Sequence, residues 1–329
     1  MKNTIQYIVV SILFAAGFYF AYTGRDNPSE IKRTSVVLGT IVEIKIRDDD
    51  TEKAEDAASR VFEEFRRIDN LFSAYKEGSI IGQINNSLSD CFIINDELFN
   101  LLEECNDIWK ITGRTFDVAL DSLTDLWGFG EGGSPARPSD ENIKKALCCC
   151  GWENISLLPG GMLRKENNVR FNLGAIAKGY AVDRGIDILK ENGIGNALIN
   201  AGGEIRQLGN DWVIGVRDPN NESGIVRELK LNGKAVATSG NYEQYFEEDG
   251  IRYCHIINPA DGYPSMHCKS VTVIADDGMT ADALATGIFV MGPEAGIRLA
   301  ENLADAEVYI IDRYDKEYFS SGFRKYMLR

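Results

Sequence analysis

Three stretches of this 329-residue chain carry residue types suited to phosphate chemistry. The first is Asn172-Leu173-Gly174-Ala175-Ile176-Ala177-Lys178-Gly179-Tyr180-Ala181-Val182-Asp183-Arg184. It opens on small residues, sets a lysine in the first turn of an expected helix and then turns amphipathic. Free amides at a helix start, a cation, and the paired glycines of Asn200-Ala201-Gly202-Gly203-Glu204 suit a phosphorylated ligand. The second is the pair Asp282 and Thr286, four residues apart and therefore on one face of an expected helix. A carboxylate beside a hydroxyl near a helix start can take part in a magnesium site. Spacing alone equally lets Asp282 complement the helix dipole and Thr286 bond back within its own helix. The third surrounds His255, in Tyr253-Cys254-His255-Ile256-Ile257-Asn258-Pro259-Ala260-Asp261-Gly262-Tyr263-Pro264. A histidine at a strand end before a Pro/Gly turn is placed either for catalysis or to bond a turn carbonyl. His267 lacks that context and reads as a loop residue. In Thr112-Gly113-Arg114-Thr115-Phe116-Asp117-Val118, Asp117 reads as a cap before it reads as a ligand contact. The hydroxyls of Thr238-Ser239-Gly240-Asn241-Tyr242 either face a ligand or form a turn.

These groups need elements to position them. Apolar residues at helical spacing predict a helix over 51–72, through Ala54, Ala58, Val61, Phe62, Phe65, Ile68 and Phe72, and a second over 96–111. Residues 128–139, rich in glycine and proline, read as a surface loop. A helix from about Ala175 should stop at Asn192-Gly193. Thr280 is the expected cap of a helix running to Met291 and stopped by Gly292-Pro293, with another helix over 294–303. Strands are expected at 36–46, 197–200, 212–216, 271–274 and 308–311. Asn232-Gly233, between 229–231 and 235–237, is the best hairpin signal. No regular βαβ beat or internal repeat appears, which argues for an α+β fold.

Composition bounds the reading further. A hydrophobic fraction of 44% supports a sizeable core. With 50 acidic against 35 basic residues and no concentrated basic surface, nucleic acid is not an expected partner. None of the seven cysteines shows zinc-site spacing, and the adjacent side chains of Cys148-Cys149-Cys150 diverge too much to close on one ion. The apolar run from Ile5 to Tyr22 is long enough to cross a bilayer, and Phe18, Tyr19, Phe20 and Tyr22 form an interfacial aromatic group. An uncleaved anchor within 1–24 is expected, with a cleaved signal ending near Thr23 as the alternative. A polar tether over 25–33 and a single folded domain over 34–329 follow. Either reading puts the domain outside the cytoplasm, although the basic flank of Arg25, Lys32 and Arg33 opposes that orientation.

Taken in order, these segments resemble the ApbE family, the FAD:protein FMN transferases. The resemblance runs through Leu38-Gly39-Thr40, Phe72-Ser73-Ala74-Tyr75, Thr112 to Val118, Leu126-Trp127-Gly128-Phe129-Gly130, Asn172 to Asp183 and Asn200 to Glu204. It continues through Ala237 to Tyr242, His255 to Pro264 and Ala281-Asp282-Ala283-Leu284-Ala285-Thr286. It implies an ApbE-like, T-fold-like α+β domain with FAD held between two lobes. It also implies Mg2+-dependent transfer of FMN from FAD to a threonine of an acceptor protein, with AMP leaving. Acceptors of this kind carry an Asp-Gly-x-Thr-Ser/Ala-Thr type motif and are subunits of membrane electron-transfer complexes. The implied location is outside the bacterial cytoplasmic (inner) membrane, anchored to it.

Carried over residue by residue, the resemblance puts Asp282, Thr286, the Ala175 carbonyl and the backbone oxygen of Ala285 on metal positions. Leu38, Tyr75, Thr115, Phe116, Asp117, Asn172, Lys178 and Ile257 fall on flavin contacts. His255 and Asp282 are the candidates to accept the attacking hydroxyl's proton, His255 preferred because a metal-bound carboxylate is a weak base. Asn172 and Asn258 each stand where the family has aspartate, which alters one contact and is expected to loosen the turn at Pro259. Asp277-Gly278-Met279-Thr280-Ala281 begins like an acceptor motif, but Asp282 fills the acceptor position, so the chain reads as donor enzyme. A magnesium-dependent FAD hydrolase giving FMN and AMP is the competing enzyme reading, and a flavin-binding module without turnover is the non-enzymatic one.

Overall fold

A computed structural model describes residues 29–209, 212–231 and 233–328. The expected anchor and the first four residues of the tether lie outside these residues, as does Asn232. Among the described residues no helix is long and apolar enough to cross a membrane.

The centre is an eight-stranded antiparallel sheet: β1 (Glu30–Val37), β2 (Thr40–Arg47), a strand pair over Ala197–Ala201 and Glu204–Leu208, then Ala235–Gly240, Cys268–Ala275, Glu307–Asp312 and Glu317–Phe319. In chain order the other elements are helix α1 (Thr51–Phe72), α2 (Ile80–Asn86), β3 (Cys91–Ile93), α3 (Asp96–Ile111), α4 (Asp121–Leu126), α5 (Asp140–Leu147), β4 (Ile155–Leu158), β5 (Met162–Lys165) and α6 (Ala177–Glu191). The strand pair follows as β6 and β7, then β8 (Ile214–Asp218), β9 (Asn221–Leu229), β10 (Ala235–Gly240), β11 (Tyr245–Glu248), β12 (Ile251–Cys254), β13 (Cys268–Ala275), α7 (Gly278–Met291), α8 (Pro293–Ala300), β14 (Glu307–Asp312) and β15 (Glu317–Phe319).

Period-2 alternation divides the inner strands between two cores. Ala197, Ile199, Ala235, Ala237, Val273, Val308 and Ile310 face the helices α1, α3, α6 and α7. Their neighbours Leu198, Val236, Ile274, Tyr309 and Ile311 face Trp212, the β8–β9 hairpin and Phe323. A third, smaller core gathers Trp127, Phe129, Tyr253 and Ile257 under α4, α5 and the β11–β12 hairpin. The α+β expectation is met, with three cores packed within one domain.

The amphipathic helices fall where periodicity places them. Asp50 caps α1 and Asn95 caps α3, each accepting an amide bond from the first turn. Other elements depart from expectation. The single strand over 36–46 is a hairpin, because Leu38 and Gly39 both take positive φ, 57° and 69°, and reverse the chain. Glu30 to Arg33 pair with Ile44 to Arg47, so the folded domain begins inside the expected tether. The strand expected at 212–216 starts at Ile214. The two segments beside Gly233 do not form a hairpin, since β9 pairs with β8 while β10 pairs with β7 and β13. The cap of α7 is Asp277, whose carboxylate accepts from the Thr280 amide at 2.7 Å and from its hydroxyl at 3.0 Å. Thr280 is therefore held inside the cap and does not make it.

Candidate functional site

Helix α7 is buried on nearly every face, so an aspartate within it needs a reason to be there. Asp282 is 3% exposed, and its Oδ2 accepts from the Gly179 amide of α6 at 2.9 Å. Two glycines allow this. A Cβ on Gly179 would stand 2.2 Å from the Gly278 carbonyl oxygen, and one on Gly278 would stand 2.7 Å from the Gly179 carbonyl oxygen. The starts of α6 and α7 thus touch backbone to backbone. Asp183 fastens the crossing by accepting from the Gly278 and Met279 amides at 2.8 and 2.9 Å.

Asp282 therefore serves the start of the neighbouring helix and does not cap its own. Thr286 follows one turn later, its hydroxyl 3.3 Å from that of buried Ser239 on β10 and not bonded back into its helix. Helical geometry would send the Gly179 amide to the Ala175 carbonyl. Because that amide goes to Asp282, the Ala175 carbonyl is left open beside the carboxylate. Ala285 lies fully buried mid-helix, where its carbonyl belongs to the helical ladder. Among the described residues no three acidic, histidine or cysteine side chains gather as a metal group. One carboxylate, one hydroxyl and one open carbonyl are nonetheless hard oxygen donors, and such a set fits magnesium, which keeps waters and leans on substrate phosphates. Burial pushes the Asp282 carboxyl up, while Lys178 and the Gly179 amide oppose it.

The free amides expected at the start of α6 are largely in use. Gly174 donates to Asn172 Oδ1, Ile176 and Ala177 to the Leu173 carbonyl, and Gly179 to Asp282. Lys178 is not unpaired either, for its ammonium bonds Glu204 Oε1 across from β7. Burial alone would push Lys178 down, but the charges of Glu204, Asp282 and Glu243 outweigh it and hold the lysine above its ordinary value. Lys178 and His255 are half-buried and Glu243 is exposed, and the Lys178 charge acts on both of the others, so the three stand near one another at a site open to solvent.

His255 follows β12, and its Nδ1 lies 3.3 Å from the Gln244 carbonyl oxygen. A carbonyl only accepts, so Nδ1 carries the hydrogen and Nε2 keeps its lone pair. Of the two options left open by the sequence, the bond to a carbonyl is realised at Nδ1. Burial pushes the imidazole down to about 4, and the nearby Lys178 charge adds to that. The turn that follows is firm despite Asn258, whose Oδ1 accepts from the Ala260 amide at 3.0 Å and whose Nδ2 donates to Asp261 at 3.1 Å.

The remaining positions expected to contact flavin divide into two groups. Tyr75 and Asn172 are joined, with Asn172 Nδ2 donating to the Tyr75 hydroxyl at 2.9 Å and to Asp121 Oδ1 at 3.2 Å. An aspartate at 172 would face the Asp121 carboxylate, so asparagine removes a like-charge contact. Tyr75 is pushed up to about 12 by burial and by Asp121. Leu38 sits at its turn in a left-handed conformation rare for leucine. The turn abuts that of β6–β7, since a Cβ on Gly202 would meet Thr40 Oγ1 at 2.4 Å. In the second group the side chains are spent on the fold. Thr115 donates to the Gly287 carbonyl at 2.8 Å, and Phe116 is fully buried. Asp117 accepts from the Ala119 and Trp152 amides at 2.8 and 2.9 Å, the capping role its sequence context favoured, while burial pushes it up to about 6. Ile257 is buried in the aromatic core.

Glu204 and Asp183 lie inside the sequence motifs, yet their roles show only in the fold, where each pairs with a residue from another element. The signal for Glu204 was a charged residue directly after a two-glycine turn, where its neighbours are apolar. The cysteine triplet splits as expected, Cys148 exposed and Cys150 buried, and no described cysteine is in a disulfide.

The ApbE family profile matches residues 38–310. The FAD:protein FMN transferase of Vibrio cholerae is 32% identical over 333 residues, covering 96% of this chain and 98% of the relative. That of Haemophilus influenzae is 31% identical over 317 residues, covering 90% and 91%. Among solved structures, the ApbE protein of Thermotoga maritima is similar with a TM-score of 0.85 at 32% identity, covering 92% of this chain and all of the other. The flavin transferase ApbE of Vibrio cholerae gives a TM-score of 0.83 at 30% identity, covering 91% and 99%. Profile, relatives and fold agree, and this chain is an enzyme of the ApbE family.

Proposed function

We propose that this enzyme transfers the FMN moiety of FAD to a threonine of an acceptor protein and releases AMP. The observation that carries the reading is the meeting of Asp282, Thr286, the open Ala175 carbonyl and Lys178 where α6 and α7 touch, in a cleft shared with a neutral histidine. Bound magnesium would be held by Asp282, Thr286 and Ala175 and would supply charge neutralisation at the pyrophosphate. The chain's own groups do the rest. Lys178 meets phosphate oxygens. Tyr75, Asn172 and the Leu38 turn line the approach to the flavin half. His255 Nε2 takes the proton from the threonine hydroxyl. The threonine oxygen then bonds the phosphorus of the FMN half, the bond from that phosphorus to the AMP oxygen breaks, and AMP leaves with that electron pair. Displacement at phosphorus depends mainly on such positioning and charge stabilisation.

Incubating the enzyme with FAD, magnesium and a candidate acceptor should raise the acceptor's intact mass by one FMN on a threonine and release AMP. Release of AMP without a mass shift, across several genuine acceptor motifs, would favour the hydrolase. The apolar run from Ile5 to Tyr22 supports a domain held outside the bacterial cytoplasmic membrane, where acceptor subunits of electron-transfer complexes would be met. A C-terminal reporter active only in the cytoplasm would contradict that placement.

A further inference from the structure

Lys178 stands among several carboxylates and is bonded to one of them. Glu204 is 3% exposed, its Oε1 accepts from the ammonium, and its Oε2 is buried with no hydrogen-bond partner. Among the described residues its carboxylate therefore has a single countercharge, the Lys178 ammonium. A buried oxygen left unpaired is costly, so an apolar residue after the Gly202-Gly203 turn would serve folding better than this glutamate does. The position itself is fixed by register, because Ala201 pairs with Glu204 across a turn in which Gly202 and Gly203 take φ of 72° and 114°. Asp282 is the competing partner, since it accepts from the amide of Gly179, the residue next to Lys178, and its charge acts on the same ammonium.

We propose that Glu204 is a positioning residue that holds the Lys178 ammonium away from Asp282 and facing the cleft. This rests on the reading that Lys178 meets the pyrophosphate of FAD. An ammonium has three donors. One is spent on Glu204, and the lysine is 24% exposed, so the others remain for phosphate oxygens. Without the Glu204 charge the strongest remaining attraction is Asp282, ahead of Glu243. A lysine drawn there leaves the phosphate and covers the oxygen that a divalent cation needs.

The test compares the full-length wild type, Glu204→Gln, and Glu204→Gln combined with Lys178→Met, each in detergent with magnesium chloride. The double variant leaves no uncompensated charge from the pair, so it is expected to fold where Lys178→Met alone is not. Equilibrium FAD binding is read by flavin fluorescence, with thermal unfolding alongside. Glu204→Gln should weaken FAD binding about tenfold, the worth of one charge-assisted contact, and the double variant should bind no more weakly than Glu204→Gln. The expected match arises because a displaced ammonium no longer contributes to binding. A Glu204→Gln protein that binds FAD like the wild type, beside a double variant that is much weaker, overturns the proposal and leaves the Lys178 reading standing. A double variant several-fold weaker than an already weakened Glu204→Gln also overturns it, since Lys178 then works without Glu204. Wild-type affinity in both variants removes Lys178 from the site and the proposal with it.

Discussion

Asp282→Asn is expected to fold and to lose flavin transfer by on the order of 10³-fold, the size that several kcal/mol of lost charge stabilisation implies. The fold should survive because the bond Asp282 makes within the protein is accepted from the Gly179 amide, and an asparagine oxygen can accept it equally well. Removing a buried negative charge also relieves the burial that raises this carboxyl. What asparagine cannot supply is a charged oxygen for a hard cation. Thr286→Val should cost less, because water can replace one neutral ligand. Chelating the metal from wild type should reproduce the Asp282→Asn defect, and adding chelator to the variant should change little. Activity measured against magnesium concentration, with circular dichroism as the folding control, decides the matter. Near-normal transfer by folded Asp282→Asn in the absence of metal would sink the magnesium reading.

The helices were legible in the sequence because each has one wet face. Thr51–Phe72 and Asp96–Ile111 show apolar residues at helical spacing, with an acidic or amide cap directly before. The sheet was harder, and for a physical reason. Strands such as β6 and β14 are covered on both faces, so they carry apolar runs without alternation and their ends blur. Local turn chemistry misled twice. Leu38 accepts a left-handed conformation that leucine usually avoids, which concealed the β1–β2 reversal. The turn before Lys234 does form, with its amide bonded to the Leu231 carbonyl at 3.2 Å. It joins strands of different sheets, and sequence alone does not say where a strand finds its partner.

The site divides along the same line. Asp282 and Thr286 share a face because helical spacing dictates it, and Lys178 lies in a first turn because its helix starts there. Their partners are tertiary. Gly179 meets Asp282 across 103 residues, and Glu204 reaches Lys178 from another strand. A lysine expected to wait for phosphate is therefore already paired in the protein, and the amides expected to be open are bonded to a carboxylate, a side-chain amide oxygen and a backbone carbonyl. Such pairing follows from burial, because Glu204 and Asp282 are each only 3% exposed and an unmatched charge there would be costly.

His255→Asn is expected to lower turnover by about 10²–10⁴-fold with little change in FAD affinity, the usual worth of a positioned proton acceptor. Asparagine isolates the two ring nitrogens. Its amide nitrogen can occupy the place of Nδ1 and keep the bond to the Gln244 carbonyl, while nothing replaces Nε2. A purely structural histidine would thus be rescued by asparagine, and a base would not. The pH dependence supplies a second reading. Burial lowers the imidazole to about 4 from an ordinary value of 6.5, so the neutral form that accepts a proton prevails at every pH above about 4 and is lost only below it. Turnover should therefore show no acid limb from His255 over roughly pH 5 to 8, where a solvated histidine would produce one. A limb in that range that persists in His255→Asn belongs to another group. A limb near 6.5 that disappears in the variant would mean that His255 is an ordinary, well-hydrated imidazole, and the desolvated base assigned here would have to be given up.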